Sequence, residues 1–368
     1  MINTKFSETD KLIFDIRNEL DYQRFLTPLN FAQENNKFIE CYKSHKIYNP
    51  QYEYNRFNPE VALRKYELLK NVFSPDGTEL SKLYSRVIEK LLVEIKMYQS
   101  VGTEEFTAYS NKINGIPNSI YERKAIDILN NKCESAEETF YGADELAEIL
   151  KMRIRQYGFI WNVSVTDRMA ARVSVEPEKK TVYINKNKRF TKNDAIRLQV
   201  HEIDTHLLRT ENGLLRNSMI LSYGTAGSLI HEEGLAIYNE YKNGVSDSFS
   251  DKLYAARFLT SLNIDKSFYE LFDTLMQYGC SEFLSMYVVS RFKRGIRDSS
   301  SAGGFIKDYV YFQGLQEIIE AVECDNTVYK KLYYGSVSVQ DTVVLDNEIN
   351  NAIESGTVIF PLKKIIGR

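Results

Sequence analysis

Residues 191–213 read TKNDAIRLQVHEIDTHLLRTENG, and this stretch decides how the rest of the chain is interpreted. We interpret it as one helix that Thr191 or Asn193 caps, because the side-chain oxygen of either residue can accept a backbone N–H. The pair Asn212-Gly213 is expected to end it, since glycine adopts the left-handed conformation readily. The segment HEIDTH, residues 201–206, then lies inside a helix.

HEIDTH differs in spacing from HExxH, the helical pattern in which two histidines bind zinc and the glutamate is a general base. Its histidines are five positions apart, and five steps of about 100° leave two side chains about 140° apart on a regular α-helix. A helix that widens by one residue around Ile203 to Thr205 would bring the rings together, and such π-bulges occur mostly at functional sites. Without this distortion, His201 and His206 would be unrelated helix residues.

A third metal ligand is predicted on the following helix, within AGSLIHEEGLAIYNEYKNG. Zinc in a peptidase site typically has three protein ligands and one open position. Glu233 has only apolar residues three and four positions away, so its carboxylate projects from an apolar stripe. The negative charge of a carboxylate in such surroundings must be compensated by a positive group. Glu232 and His231 have smaller or more polar neighbours and are poorer candidates. The alternative explanation of Glu233 is an ion pair with a basic side chain.

These residues together predict a catalytic zinc centre. With His201, His206 and Glu233 as ligands, a zinc-bound water would have a pKa of about 7. Glu202 could then act as general base, taking a proton from the water as it attacks a peptide carbonyl and passing it to the leaving amine. A structural zinc site normally has four protein ligands and no use for Glu202, so the pattern favours catalysis.

The rest of the sequence predicts an α+β fold that is predominantly helical and zincin-like. Residues 1–157 read as successive helices, and Ser7 is expected to cap the first. Alternating residues in FIWNVSVTD and ARVSVEPEKKTVYINKN predict a small antiparallel sheet before the helix of residues 191–213, which we call the metal helix after its predicted ligands. We expect a helical N-terminal region (1–157), a catalytic region (158–335) and a C-terminal extension (336–368) that packs on the body and holds a strand or two.

Strand KTVYIN has two interpretations. It could be a sheet edge that pairs with an extended peptide, or it could merely cover the metal helix.

Composition excludes several other classes. The 368 residues include 47 basic and 50 acidic ones, a balance that does not suggest a nucleic-acid partner. The start of the chain lacks the pattern of a signal peptide, so a cytoplasmic location is expected. No apolar run approaches the roughly 20 residues of a membrane span. The four cysteines form no CxxC pair and are expected to be reduced core thiols.

HEIDTHLLRTENG followed by HEEGLAIYNEY resembles the QEGLA-motif metallopeptidases, a family that includes the microtubule-associated tyrosine carboxypeptidases. MAARVSVEPEKKTVYINKNKRF, RGIRD and GGFIKDYVYFQGL extend the resemblance over roughly residues 140–320. The resemblance implies zinc bound by His201, His206 and Glu233, with Glu202 as base. The chain departs from the family pattern at Glu232, where glutamine is usual, and at His231, where a small polar residue is usual.

The resemblance also implies a carboxypeptidase that removes a C-terminal tyrosine or phenylalanine from a peptide or protein. Arg294 and Lys307 are the candidates for holding the substrate carboxylate, because a carboxypeptidase must bind that group. Tyr309 and Tyr311 could donate to an oxyanion or form an aromatic wall. All four residues could instead be surface cations or ordinary core.

Two other functions remain open at this point. The same zinc centre could serve an endopeptidase or an aminopeptidase. Outside enzymes, the chain could be a regulatory protein with a vestigial metal site. The sequence defines neither the natural substrate nor the oligomeric state.

Overall fold

The computed structural model describes residues 7–131, 140–167, 169, 171–363, 365 and 367. The chain begins with a run of helices, the first of which Ser7 caps as expected, in a capping box with Asp10. These helices are α1 Glu8–Glu19, α2 Tyr22–Leu26, α3 Phe31–Lys43, α4 Glu60–Val72, α5 Glu79–Gln99, α6 Glu105–Asn114 and α7 Glu122–Asn130.

Short strands and further helices follow. The strands are β1 Phe140–Tyr141, β2 Asn162–Thr166, β3 Val173–Glu176, β4 Thr181–Asn185 and β5 Phe190–Thr191. The helices of this stretch are α8 Ala143–Gln156, α9 Lys192–Leu198, the π-helix Gln199–Leu207, α10 Leu208–Leu214, α11 Met219–Tyr223 and α12 Leu229–Lys242.

The remaining described chain is helical. Its α-helices are α13 Ser248–Leu262, α14 Phe268–Gln277, α15 Glu282–Phe292, α16 Val310–Cys324, α17 Val328–Lys331, α18 Val339–Val344 and α19 Asp346–Glu354. Single turns of 3-10 helix lie at Ser119–Tyr121, Pro177–Lys179, Ile306–Tyr309 and Leu332–Tyr334. The prediction of a predominantly helical α+β chain is confirmed.

The sheet before the metal helix differs from the predicted antiparallel one. Its order is β2-β4-β3, with β4 antiparallel to β3 but parallel to β2. Strand β4 carries the KTVYIN sequence and pairs on both sides, so it is not an edge that could accept a peptide. The interpretation of KTVYIN as a peptide-binding edge was therefore wrong. A separate antiparallel pair joins β1 to β5.

The C-terminal segment forms helices where a strand or two had been expected. The alternation in SVSVQDTVV suggested a strand, but Ser338 and Asp341 form a capping box that starts α18. A local cap that satisfies the first backbone N–H groups outweighs a short alternating pattern.

The chain divides into two compact units. The first comprises Met1–Lys132 and Phe249–Gln313, and the second comprises Cys133–Ser248 and Gly314–Arg368. In the first unit, Phe38 packs edge-on against Phe268 and Phe272, at centroid distances of 4.6 and 4.9 Å. The expected division into regions 1–157, 158–335 and 336–368 stays a prediction.

The core of the second unit lies between α8, the sheet and the metal helix. Its wholly buried members include Leu146 and Leu150 of α8, Ile184 of β4, and Ile203 and Leu207 of the π-helix. Since Ile203 and Leu207 face this core, the π-helix is fixed by packing on one side.

Two glycines let α12 and α16 touch along their backbones in the second unit. A Cβ added to Gly234 would lie 2.3 Å from the backbone carbonyl of Gly314. A Cβ on Gly314 would lie 2.0 Å from the carbonyl oxygen of Ile230. Any larger side chain at either position would push the helix that carries Glu233 away from its neighbour.

Two expectations from composition can be compared with the structure. None of the described helices combines the length and apolar character needed to cross a membrane. Cys41, Cys280 and Cys324 form no disulfide, and of these three only Cys280 is buried; Cys133 lies outside the described residues.

Candidate active site

The metal helix is widened as its spacing predicted. Residues Gln199–Leu207 form a π-helix, longer than the distortion expected around Ile203 to Thr205, between the α-helical stretches α9 and α10. A π-helix bonds each residue to the one five positions on, so side chains five apart share a face. The rings of His201 and His206 are accordingly 4.9 Å apart between centroids.

The start of this helix was predicted correctly, but its end was not. Thr191 is the N-cap and accepts the N–H of Asp194, which settles the choice between Thr191 and Asn193. The predicted end at Gly213 was wrong, because Gly213 is helical and the left-handed residue is Asn217, with φ of 52°. Gly213 instead admits the carbonyl oxygen of Leu221, which a Cβ would approach to 2.2 Å.

Thr205 supports the widened turn through its hydroxyl. The hydroxyl donates to the carbonyl of Val200, five positions earlier, at 2.9 Å. It also accepts a bond of 2.8 Å from the amide of Asn239 on α12. Asn239 in turn donates to the hydroxyl of Tyr333 at 2.8 Å. This buried chain of hydrogen bonds ties the π-helix to α12 and to the segment around Tyr333.

Replacing Thr205 by valine should destabilise the folded protein by about 1–3 kcal/mol, because the amide of Asn239 loses an acceptor in a buried position. Urea unfolding measured by circular dichroism gives the change. Thr210→Val is the matched control, since its buried hydroxyl makes one bond of 3.0 Å to the His206 carbonyl, four positions earlier. Equal losses in the two variants would contradict the special role of Thr205.

Three side chains of the second unit converge on a possible metal position. One ligand atom from each of His201, His206 and Glu233 lies within 4.8 Å of the others. The Oε2 atom of Glu233 is 3.8 Å from Nε2 of His201 and 3.6 Å from Nε2 of His206. The structure therefore brings together the three residues that the sequence predicted as ligands.

Glu232 orients the ring of His206. Burial raises the pKa of Glu232, but Arg209 and His206 outweigh it, so the pKa lies below its ordinary value and the carboxylate is charged. Nδ1–H of His206 therefore donates to Oε1 of Glu232, at 2.8 Å. Burial lowers the pKa of His206, but the hydrogen bond to Glu232 and the nearby carboxylate of Glu233 raise it well above its ordinary value. The bond at Nδ1 leaves Nε2 facing Glu233.

Glu240 orients the ring of His201 in the same way. Burial raises the pKa of Glu240, but Arg197 and His201 lower it more, so this carboxylate is also charged. Nδ1–H of His201 donates to Oε1 of Glu240 at 2.6 Å. Arg197 donates to the same oxygen at 3.1 Å. Each histidine thus has one ring nitrogen held by a carboxylate–arginine pair and the other directed at Glu233.

Asp204, in the middle of HEIDTH, connects the metal helix to neighbouring elements through hydrogen bonds. Arg153 of α8 binds its two oxygens with bonds of 2.8 and 2.7 Å, and the hydroxyl of Tyr157 donates at 2.8 Å. Burial raises the pKa of Asp204, and these partners oppose that effect. Arg153 also donates to the carbonyl of Leu362, so the metal helix, α8 and the C-terminal segment meet here.

Glu202 lies in the same π-helix as both histidines and is buried. Within the described part of the chain its carboxylate has no hydrogen-bond partner. Its position next to His201 makes this carboxylate a candidate for a general base.

The residues predicted to contact substrate all belong to the first unit. Arg294 is buried and donates to the hydroxyl of Tyr22 at 2.9 Å. Tyr309 is buried and its hydroxyl donates to the carbonyl of Asn114 at 2.5 Å. Tyr311 is stacked on Tyr254 at 5.4 Å. Lys307 is half-buried. A substrate contact by any of the four stays a prediction.

Sequence reasoning missed Arg197 and Glu240, and it gave Arg209 and Glu232 no part in the chemistry of the site. The spacing of the two missed residues carried a signal. Glu240 lies seven positions after Glu233 on the same face of α12, and Arg197 lies four positions before His201. Glu232 had been judged less enclosed than Glu233, but 14% of one side chain and 15% of the other is exposed.

The fold and the site define a class: predominantly helical proteins in which two histidines and a carboxylate form a potential metal site on a π-helix and its neighbour. Residues 40–361 match the family model "Microtubule-associated tyrosine carboxypeptidase", and the chain belongs to that family.

Similar curated proteins carry the same family name. The chain is 27% identical to microtubule-associated tyrosine carboxypeptidase 1 of Rattus norvegicus over 314 residues, which cover 80% of this chain and 55% of the relative. The Mus musculus protein of that name is 27% identical over 309 residues, covering 80% and 56%. The Homo sapiens protein is 26% identical over 304 residues, covering 80% and 55%. The chain spans about half the length of these relatives.

Proposed function

We propose that this protein is a zinc-dependent carboxypeptidase that removes a C-terminal tyrosine or phenylalanine from peptides or proteins. The observation that carries the proposal is the convergence of Glu233 of α12 on His201 and His206, which share one widened helix with Glu202. The family name of the relatives supports the carboxypeptidase activity and the preference for tyrosine. A zincin-like arrangement of the metal helix is part of the same proposal.

The triad fits zinc. Two imidazole nitrogens and one carboxylate oxygen are a ligand set that catalytic zinc uses, and they leave one position open. Bonds of about 2.0–2.1 Å to a tetrahedral ion place neighbouring ligand atoms about 3.3 Å apart. The separations of 3.6 and 3.8 Å between Glu233 and the two Nε2 atoms need only a small contraction to reach that value.

Glu202 would move the proton in the reaction. Zinc, when bound, supplies Lewis acidity that acidifies water and polarises a carbonyl. The carboxylate of Glu202 would accept a proton from the attacking water and then donate it to the amine of the departing residue. Glu232 and Glu240 would hold the two imidazoles so that their Nε2 lone pairs face the ion.

The choice of a C-terminal aromatic residue requires groups that bind a free carboxylate and a ring. Arg294 and Lys307 stay our candidates for the carboxylate, and Tyr309 and Tyr311 for the oxyanion or the ring. Arg294 and Tyr309 already have protein partners. Tyr311 is stacked on Tyr254, so Lys307 is the first of the four to substitute in a search for loss of substrate affinity.

Incubation with defined peptides tests the activity. We expect release of the last residue from peptides that end in tyrosine or phenylalanine, slower release of leucine or lysine, and no cleavage of the same peptides when amidated. Activity should disappear after chelation and return with zinc, as mass spectrometry of the products would show.

Two outcomes would contradict the proposal. Cleavage of amidated peptides at an equal rate would point to an endopeptidase or aminopeptidase, because no free carboxylate is then required. A folded preparation that binds no zinc would contradict the metal mechanism itself.

A further inference from the structure

Glu232 uses both of its carboxylate oxygens, and only one of them serves His206. Oε1 accepts Nδ1–H of His206 at 2.8 Å. Oε2 accepts a bond of 2.5 Å from Nη1 of Arg209 and one of 2.6 Å from the hydroxyl of Ser336. The carboxylate therefore bridges a proposed zinc ligand and a second group of residues.

Arg209 is wholly buried and its other donors all bind backbone. Nε donates to the carbonyls of Leu332 and Gly335, each at 2.9 Å, and Nη2 donates to that of Val337 at 2.6 Å. Among the described residues, Glu232 is the one acidic partner of Arg209. Removing the charge of Glu232 would leave a buried guanidinium without a counter-charge, which is costly.

The corresponding pair at His201 is built differently. Arg197 binds Glu240 but also lies 3.2 Å from Asp194 and 3.6 Å from Asp247. The charge of Arg197 is thus shared among three carboxylates, whereas that of Arg209 depends on one. Of the two carboxylates that hold the histidines, Glu232 is the one whose loss would also disturb a distant segment.

We propose that Glu232 is a positioning residue for zinc, which fixes the tautomer and rotation of His206 and couples the ion to residues 332–337 through Arg209. The inference rests on the proposed zinc site. Carboxylates that orient metal-binding histidines typically contribute 10–100-fold to metal affinity. Glu232 also connects His206, through Arg209, to residues 332–337. An ordered conformation of that segment therefore helps to hold the ring of His206 in place.

Glu232→Gln tests this inference, because glutamine keeps the shape and an acceptor for His206 but removes the charge opposite Arg209. We expect zinc affinity, measured by competition with a chromogenic chelator, to fall by about tenfold or more. The visible spectrum of the cobalt-substituted protein should change as well, since it reports ligand geometry independently of catalysis.

Glu211→Gln is the matched control. Its side chain is also 14% exposed and accepts bonds from Trp161 at 2.6 Å and Lys180 at 2.9 Å, but it contacts neither histidine. We expect its zinc affinity and cobalt spectrum to equal those of the wild type. Unchanged affinity and spectrum in Glu232→Gln would overturn the inference and leave the proposed function standing. A wild type that binds no zinc would instead overturn the proposed function.

A measurement on the wild type keeps the inference testable if Glu232→Gln does not fold. Long-range nitrogen–proton NMR of the zinc-loaded protein, assigned with His206→Gln, reports which ring nitrogen carries the proton. We expect a slowly exchanging proton on Nδ1 of His206. A proton on Nε2, with Nδ1 unprotonated, would overturn the inference.

Discussion

Glu202→Gln should reduce peptide hydrolysis by about 10²–10⁴-fold while leaving zinc in place, because glutamine cannot accept the proton of the attacking water. The loss should fall on kcat, since Glu202 is not among the three proposed ligands and its substitution leaves His201, His206 and Glu233 intact. The measurements are initial rates with a peptide ending in tyrosine and the zinc content of the same preparation.

Glu211→Gln again supplies the control, as a half-buried glutamate that loses its charge outside the site. We expect it to hydrolyse the peptide at close to the wild-type rate. A Glu202→Gln variant that holds zinc and still cleaves at the wild-type rate would exclude Glu202 as the base. Loss of zinc together with activity would mean that Glu202 also supports the site.

Gly234→Ala should cost the folded protein about 3 kcal/mol or more, at the upper end of the usual effect of overpacking. The added carbon would meet the backbone of Gly314 at 2.3 Å, and a backbone cannot turn aside as a side chain can. Because Glu233 is the preceding residue on α12, we also expect weaker zinc binding. Chemical unfolding and metal analysis measure the two effects.

Gly227→Ala is the control, because a Cβ at Gly227 would meet nothing within 4 Å. Its stability should stay within about 0.5 kcal/mol of the wild type. If Gly234→Ala were equally stable, the close contact between α12 and α16 would not be a feature of the folded protein.

The metal ligands could be predicted from sequence because their chemistry is unusual for their surroundings. Two histidines flank a glutamate, and Glu233 interrupts an apolar stripe, so each residue demands an explanation within a few positions of chain. The helical distortion followed from spacing alone, since a regular α-helix cannot direct side chains five apart at one point. Local geometry was sufficient for these predictions.

Features that depend on residues distant in sequence could not be predicted in the same way. Strand β4 pairs with β2 as well as β3, and no alternation pattern states which strands will be neighbours. Gly213 lies within α10 and leaves room for the backbone carbonyl of Leu221, which is a tertiary contact. The role of Glu232 depends on Arg209 and on Ser336, 104 positions away.

The π-helix has a consequence for how such proteins diverge. Both of its ends continue as ordinary α-helix, so the widened stretch is equivalent to an α-helix that has gained a residue between its two histidines. One inserted or deleted codon could therefore separate the five-position spacing of this chain from the more familiar four. Sequence searches that require HExxH will miss such chains. The spacing of the histidines alone is therefore a poor criterion for separating families of metal-binding helices.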